Sequence, residues 1–221
     1  MKYRAFIFDL DGTLVDSMPW HNRAWLQVIA QEGIAIDEER FIERATGMAA
    51  SDLIREFIRP GADDAEVARF CKIKWPVFRD LYRPHLQLLP GAREFLMAAR
   101  QLGLRLAIAT SASPETLDLI VGDLGLRPYF DTIVVRSQVA RGKPHPDIFL
   151  KAAELLGVPP EQSLVFEDAP VGIEAAQAAN MDTCLLQTIF DDAALAAHPF
   201  PRVVKAVPDY ANLHPNDLLN G

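Results

Sequence analysis

The stretch YRAFIFDLDGT, residues 3–13, joins a near-continuous apolar run to two aspartates and a glycine. A run of this kind is typical of a central strand in a parallel sheet, buried on both faces. Ligands of open α/β sheets bind beyond the carboxyl ends of the strands, where Asp9 stands. In an extended chain Asp11 would point the same way, and Gly12 allows a sharp turn. The stretch predicts a site with two carboxylates, although ordinary turn chemistry uses the same residues.

Further apolar runs and helical patterns alternate along the rest of the chain. Buried strands are predicted at 104–110, 132–135, 163–167 and 183–186, with a possible edge strand at 202–207. Helices are predicted at 91–102, from Ser113 onwards, at 146–156, at 172–179 and at 209–219. This alternation is typical of βαβ units. It predicts an α/β fold with a doubly wound, Rossmann-like parallel sheet.

Residues 16–87 interrupt the alternation, because they show helical periodicity only, with helices predicted at 21–32, 51–58 and 64–82. We therefore expect two domains: an α/β catalytic core from 1–15 and 88–221, and an all-helical cap from 16–87 inserted after the first strand. An insertion at that point starts above the strand ends, so it predicts a lid.

Polar residues follow three of the other predicted strands. Thr110 and Ser111 can offer hydroxyl and amide groups to phosphate oxygens, and Glu167 and Asp168 can serve a metal ion or simply cap the next helix. Lys143 lies in a turn-rich loop, as either a solvated lysine or the cation that a site with two carboxylates and an anionic substrate requires.

Taken together, these positions resemble the four motifs of the haloacid dehalogenase-like phosphohydrolases: Asp9-Leu10-Asp11-Gly12-Thr13, Thr110, Lys143-Pro144 and Glu167-Asp168. The resemblance covers residues 1–15 and 88–188. The helical insertion is similar to that of the subfamily with β-phosphoglucomutase and small sugar-phosphate phosphatases.

The resemblance implies a mechanism. Asp9 would attack phosphorus to form an aspartyl-phosphate, and Asp11 would protonate the leaving group and then activate water. Mg²⁺ would be held by Asp9, by Asp11 through its backbone carbonyl and by Asp168, with Lys143 neutralising charge.

Four further residues receive supporting roles from the same resemblance. Thr110 and Ser111 would bind phosphate oxygens, and Glu167 would lie behind Asp168. His21, at the base of the cap, would contact substrate or tune closure of the cap; it is equally compatible with a packed hinge histidine.

The favoured function is a Mg²⁺-dependent phosphatase for small phosphate monoesters, with sugar phosphates such as fructose 1-phosphate or a hexose phosphate as substrates. Similar mutases have a cap arginine after a glycine like Gly47, but this chain continues with Met48-Ala49-Ala50-Ser51. β-Phosphoglucomutase activity is the alternative, with Arg55, Arg79 or Arg83 as substitutes for that arginine. A receiver-type phospho-accepting signalling module is an alternative from another class.

Composition sets limits on partners and location. The 221 residues carry a net charge of −8, which disfavours nucleic acid and anionic membranes as partners. No apolar segment is long enough for a membrane span, so we expect a cytoplasmic protein. Cys71 and Cys184 lack metal-site spacing and are interpreted as reduced core residues. We expect a small-molecule phosphate ester as partner and a monomer or weak dimer.

Overall fold

The computed structural model describes residues 2–45, 48–189, 195–196 and 200–219. The chain divides into two compact units, one from Met1–Asp16 with Gln87–Gly221 and one from Ser17–Leu86. We refer to them as the core unit and the cap unit. Gly47, used above in the comparison with mutases, lies outside the described residues.

The helices and strands of the described residues follow in chain order: β1 (Ala5–Phe8), α1 (Met18–Gln31), α2 (Glu38–Ala45), α3 (Ala50–Leu53) continued by a π-turn (Ile54–Ile58), α4 (Asp64–Tyr82), α5 (Ala92–Gln101), β2 (Arg105–Thr110), α6 (Pro114–Asp123), β3 (Thr132–Val135), α7 (Asp147–Leu156), β4 (Ser163–Glu167), α8 (Pro170–Ala178), β5 (Asp182–Leu186), β6 (Val203–Val207) and α9 (Pro215–Leu219). Short 3₁₀ turns at Arg83–His85, Arg127–Tyr129, Arg136–Gln138 and Pro160–Gln162 complete the connections.

The core unit contains one parallel sheet with the strand order β3-β2-β1-β4-β5-β6. The chain builds outward from β1 through β2 to β3 and then returns to the other side of β1 with β4. The strand order therefore reverses between β1 and β4, and ligands bind at such a reversal in doubly wound sheets. The predicted fold class is confirmed.

The strand β1 is buried on both faces because its side chains alternate between two apolar layers. Ala5 and Ile7 join a cluster that includes residues of α7 and α8. On the opposite face Phe8 stacks on Phe166 with ring centroids 4.4 Å apart, and Phe6 stacks on Phe95 at 5.9 Å. Packing on both faces holds the end of β1, and therefore Asp9, in a fixed position.

The helices of the cap unit surround an apolar cluster of their own. Within it Trp25 and Phe70 are buried, and so is Phe41 of α2. Helix α2 was not among the predicted elements, because eight mainly charged residues give too short a periodic pattern to recognise. Its formation depends on burying Phe41 against the other cap helices, which is a tertiary contact.

The end of the chain differs from the sequence prediction. Helix α9 begins only at Pro215, so the predicted helix at 209–219 was wrong over its first six residues. A proline cannot donate a backbone hydrogen bond, and it disfavours helical geometry in the residue before it. Tyr210 instead donates its N–H to the carbonyl of Pro90 at 2.9 Å. Among the described residues, no helix has both the length and the apolar character needed to cross a membrane.

Candidate active site

Asp9 directly follows β1 and is buried, with 6% of its surface exposed. Its N–H donates to the carbonyl of Phe166 at 3.0 Å, which continues the pairing of β1 with β4 by one residue. Because the two strands are parallel and in register, Asp9 lies beside Glu167. Two acidic residues from distant parts of the chain thus meet at the carboxyl edge of the sheet.

The Lys143 ammonium lies between these two carboxylates. Its Nζ donates to Asp9 Oδ1 and to Glu167 Oε1, each at 2.6 Å. The Lys143 side chain is only 4% exposed, and the Nζ atom lies 5.1 Å from the ring centre of Phe149. Lys143 is therefore a buried cation shared by two anions, and the solvated loop lysine considered from the sequence is excluded.

Glu167 is held by donors on both of its oxygens. Its Oε2 accepts the N–H groups of Asp168 and Ala169 at 2.8 and 2.9 Å, while Oε1 accepts from Lys143. The space around it depends on Gly172, since a Cβ atom there would lie 1.8 Å from Glu167 Oε1. This arrangement makes Glu167 the anchor of Lys143.

Asp168 packs against the loop that follows β1. Thr13 Oγ1 donates to Asp168 Oδ1 at 3.1 Å, and Asp168 is 2% exposed. Gly12 adopts a φ of 80°, and a Cβ on it would approach Asp168 Oδ2 to 1.9 Å. The motif DGT thus supplies a glycine that leaves room for the carboxylate and a hydroxyl that orients it.

Among the described residues, Asp9, Glu167 and Asp168 each offer one carboxylate oxygen to a group in which these three oxygens lie within 4.8 Å of one another. When ionised, three carboxylates and one ammonium carry a net charge of −2 in a buried site. Oxygen donors with excess negative charge suit a hard divalent cation. The residues present therefore fit a metal ion.

The same crowding changes the acidity of the cluster. Burial, with the charges of Glu167 and Asp11, raises the pKa of Asp9 to about 7 although Lys143 opposes this shift. Burial and the neighbouring carboxylates also raise the pKa of Asp168 well above its ordinary range. For Lys143 burial alone would lower the pKa, but the charges of Asp9 and Glu167 raise it. The ammonium thus stays charged, and a divalent cation would favour ionisation of the carboxyl groups.

Thr110 and Ser111 lie at the end of β2, the strand next to β1. Thr110 is buried, and its Oγ1 accepts the N–H of Ala112 at 3.0 Å. Ser113 caps α6 by accepting the N–H of Thr116 at 3.2 Å. Thr110 and Ser111 thus share the sheet edge with Asp9, while the direct contacts described above join Asp9, Lys143, Glu167, Asp168 and Thr13.

Asp11 lies half-buried in the loop after β1. The loop returns sharply, because the N–H of Gly12 donates to the carbonyl of Val15 at 2.7 Å and Asp11 forms an isolated bridge with Val15. Asp11 is therefore two residues from Asp9 on a short, closed loop.

His21 belongs to α1 of the cap unit. Its ring stacks on Phe78 with centroids 3.8 Å apart, and its Nδ1 forms a hydrogen bond with Lys74 Nζ. Lys74 is itself buried, with its Nζ 5.5 Å from the ring centre of Trp25. His21 is thus fixed by contacts inside the cap.

Sequence reasoning missed several residues that support the site. Gly172 was interpreted only as part of a predicted helix, and Thr13 was named within the first motif without an assigned role. Thr188 donates its hydroxyl to the carbonyl of Gly12 at 2.6 Å, and Tyr210 donates to the carbonyl of Thr13 at 3.1 Å. Neither Thr188 nor Tyr210 has a local pattern that could have revealed these contacts, since each lies more than 170 residues from its partner.

Comparison with known proteins supports the resemblance to haloacid dehalogenase-like hydrolases. The family model of haloacid dehalogenase-like hydrolases matches residues 3–180. The chain is 34% identical to Protein CbbY of Rhodobacter capsulatus, over 84% of this chain and 86% of that protein. It is 33% identical to the fructose-1-phosphate phosphatase YqaB of Escherichia coli (strain K12), over 82% and 95% respectively.

A crystal structure of β-phosphoglucomutase from Clostridium difficile is similar throughout, with a TM-score of 0.82, 26% identity and coverage of 98% of this chain and 96% of that one. The family model covers most of the chain, and the relatives match over nearly their whole length. On these grounds, the chain belongs to the haloacid dehalogenase-like hydrolases.

Proposed function

We propose that this protein is a Mg²⁺-dependent phosphatase that hydrolyses small phosphate monoesters, with sugar phosphates such as fructose 1-phosphate or a hexose phosphate as substrates. The observation that carries the proposal is the buried cluster in which Lys143 contacts Asp9 and Glu167 beside Asp168. Such a cluster offers a carboxylate nucleophile, a fixed cation and oxygen ligands in one place. Similarity to a fructose-1-phosphate phosphatase supports the substrate class.

The proposed reaction has two steps. A carboxylate oxygen of Asp9 attacks phosphorus as the bond to the ester oxygen breaks, and Asp11 gives that oxygen a proton. Asp11 then takes a proton from the water that cleaves the aspartyl-phosphate, which regenerates both carboxyl groups. Lys143 reduces the repulsion between Asp9 and the anionic phosphoryl group, and Glu167 keeps Lys143 in place.

Asp9, Asp168 and the backbone carbonyl of Asp11 would hold the Mg²⁺ ion. When bound, the ion supplies charge neutralisation for the phosphoryl oxygens and the cluster. Glu167 is less suited to direct ligation because both of its oxygens already accept hydrogen bonds.

Two of the remaining candidates belong to the core and one to the cap. We assign the Thr110 hydroxyl and the Ser111 amide to the phosphate oxygens, because Thr110 is the last residue of β2, the strand next to β1, and Ser111 follows it. His21 is a candidate substrate contact, and its ring orientation is set by Phe78 and Lys74.

Hydrolysis is favoured over mutase activity by the cap arginines. Arg55 donates to the carbonyl of Ala62 and to Asp64, at 3.1 and 2.6 Å. Arg79 pairs with Asp80 at 2.7 Å. A second phosphate would have to displace these contacts of Arg55 and Arg79 before it could bind either arginine. The receiver-type alternative is disfavoured by membership of a hydrolase family.

The test is phosphate release with Mg²⁺ from fructose 1-phosphate, glucose 6-phosphate and β-glucose 1-phosphate, with formation of glucose 6-phosphate followed in parallel. Free phosphate from several esters supports the proposal. Conversion of β-glucose 1-phosphate to glucose 6-phosphate with little release would replace it by mutase activity.

Two variants test the assigned roles in the same assay. Asp9→Asn should abolish turnover, and substantial residual activity would remove Asp9 as nucleophile. Asp11→Asn should trap phosphate on Asp9 as added mass, whereas an unmodified protein after exposure to substrate would contradict its role.

A further inference from the structure

The loop after β1 receives hydrogen bonds from two hydroxyl groups far away in sequence. Thr188 Oγ1 donates to the carbonyl of Gly12 at 2.6 Å, and Tyr210 Oη donates to the carbonyl of Thr13 at 3.1 Å. Thr188 follows β5 and Tyr210 follows β6. Two consecutive peptide carbonyls are therefore held by donors from separate connections at the same edge of the sheet.

Tyr210 is a rigid donor. It is 2% exposed, and its ring lies 5.1 Å from that of Phe95 and 6.1 Å from that of Phe166. Its backbone is fixed as well, because its N–H donates to Pro90 and a Cβ on Gly91 would lie 2.6 Å from its carbonyl carbon. A buried donor that is fixed at both ends restricts the position of its acceptor.

The carbonyls held by Thr188 and Tyr210 belong to the two residues that follow Asp11, the residue proposed as acid and base. The Gly12 carbonyl is part of the planar peptide group that joins Gly12 to Thr13. A hydrogen bond to its oxygen therefore opposes rotation of that whole group. Asp11 precedes Gly12 directly, so movement of this peptide would move the Asp11 carboxyl group. Proton transfer requires the acid within hydrogen-bond distance of the leaving oxygen.

We propose that Thr188 and Tyr210 are positioning residues, which hold the loop 11–14 so that Asp11 reaches the leaving oxygen of the substrate. The proposal rests on the phosphatase function proposed above. It extends the site to Thr188 and Tyr210, which act through their hydrogen bonds to the loop carbonyls.

The kinetic test compares esters that differ in their need for an acid. The leaving group of fructose 1-phosphate requires a proton, whereas p-nitrophenolate leaves without one. Thr188→Val keeps the shape of the side chain and removes its hydroxyl, and Tyr210→Phe does the same for the ring. We expect each to lower kcat/KM for fructose 1-phosphate by about 10- to 100-fold and for p-nitrophenyl phosphate by less than about threefold.

The matched control is Thr188→Ser, which restores a hydroxyl and should return kcat/KM for the sugar phosphate to within about threefold of the wild type. Asp11→Asn serves as the reference for complete loss of the acid. Equal losses on both esters, or no loss on fructose 1-phosphate, would overturn the positioning role. The same holds if serine fails to rescue.

A second measurement does not depend on turnover. Hydrogen exchange of the peptide segment 9–16, followed by mass spectrometry, should be faster in Thr188→Val and Tyr210→Phe than in the wild type and in Thr188→Ser. Unchanged exchange would overturn the inference even if the enzyme is active. If the wild type hydrolyses neither ester, the proposed function fails, and the exchange result still decides whether these hydroxyls hold the loop.

Discussion

The carboxylate of Asp168 occupies the space that a side chain on Gly12 would need, since a Cβ there would lie 1.9 Å from Oδ2. Gly12 also has a φ of 80°, which L-residues with a side chain rarely adopt. The observed position of the Asp168 carboxylate therefore requires a glycine at position 12.

We therefore expect Gly12→Ala to displace Asp168 and to lower Mg²⁺-dependent turnover by at least about 100-fold. Gly103→Ala is the matched control, because Gly103 has a similar φ of 75° with no atom within 4 Å of a built Cβ. It should cost only the backbone strain, about 1 kcal/mol of unfolding free energy, and leave activity intact. Steady-state kinetics and urea unfolding distinguish the two effects, and a fully active Gly12→Ala would contradict the dependence.

Removal of the buried Lys143 ammonium should strongly lower both activity and stability. Lys143→Met leaves Asp9 and Glu167 without their shared cation, so we expect kcat to fall by about 10²- to 10³-fold and the metal-free melting temperature to decrease. Lys151→Met is the control, since Lys151 is partly exposed and forms an ion pair with Glu154 three residues away. Comparable activities of Lys143→Met and Lys151→Met would show that Lys143 has no electrostatic role.

Metal affinity should depend on pH through Asp9. Its pKa is raised from 3.8 to about 7, so between these values the folded protein binds more protons than the unfolded chain, and stability contributed by this site falls as pH rises. A metal ion competes with the proton, so the increase in melting temperature produced by Mg²⁺ should grow from pH 5 to pH 8. Thermal unfolding with Mg²⁺ or with a chelator measures this difference. An increase of the same size at both pH values would refute the linkage. Asp9→Asn should weaken the trend, because Asp168 also has a raised pKa and competes with protons for the metal ion.

The stability of the fold should be sensitive to acid because of Asp182, a carboxylate of β5 outside the candidate active site. Burial would raise the pKa of Asp182, but hydrogen bonds from Tyr3 and Lys2 and the charge of Arg202 lower it overall. An acid with a lowered pKa stabilises the fold above its unfolded pKa, and this contribution is lost as pH falls through the folded pKa.

Asp182→Asn should therefore reduce the unfolding free energy by about 1 kcal/mol at pH 7, and the deficit should shrink below about pH 4. Urea unfolding of both proteins across this range is the measurement. A deficit that grows with acidification would reverse the sign and contradict the assignment.

Much of the fold could be predicted because strands and helices follow local patterns. The strands at 132–135 and 163–167 and the helix at 64–82 were predicted with the bounds observed. Helix α2 was missed because its formation depends on burial of Phe41. The predicted helix at 209–214 was wrong because a tertiary contact of Tyr210 with Pro90 and the restriction imposed by Pro215 outweigh local propensity.

In the candidate site, too, local sequence patterns predicted some features and tertiary contacts decided the others. Apolar runs, glycines and acidic residues at strand ends were sufficient to predict Asp9, Asp11 and Asp168 at one edge of a parallel sheet, because that edge follows from strand direction alone. The pattern left Lys143 open as either a solvated lysine or the cation of the site. Folding brings Lys143 against Asp9 across 134 positions of sequence and makes it a buried cation instead of a solvated one. It likewise brings Thr188 and Tyr210 onto the loop after β1. Periodicity is a property of neighbouring residues, whereas burial and hydrogen bonding depend on which distant segments meet, and no local pattern carries that information.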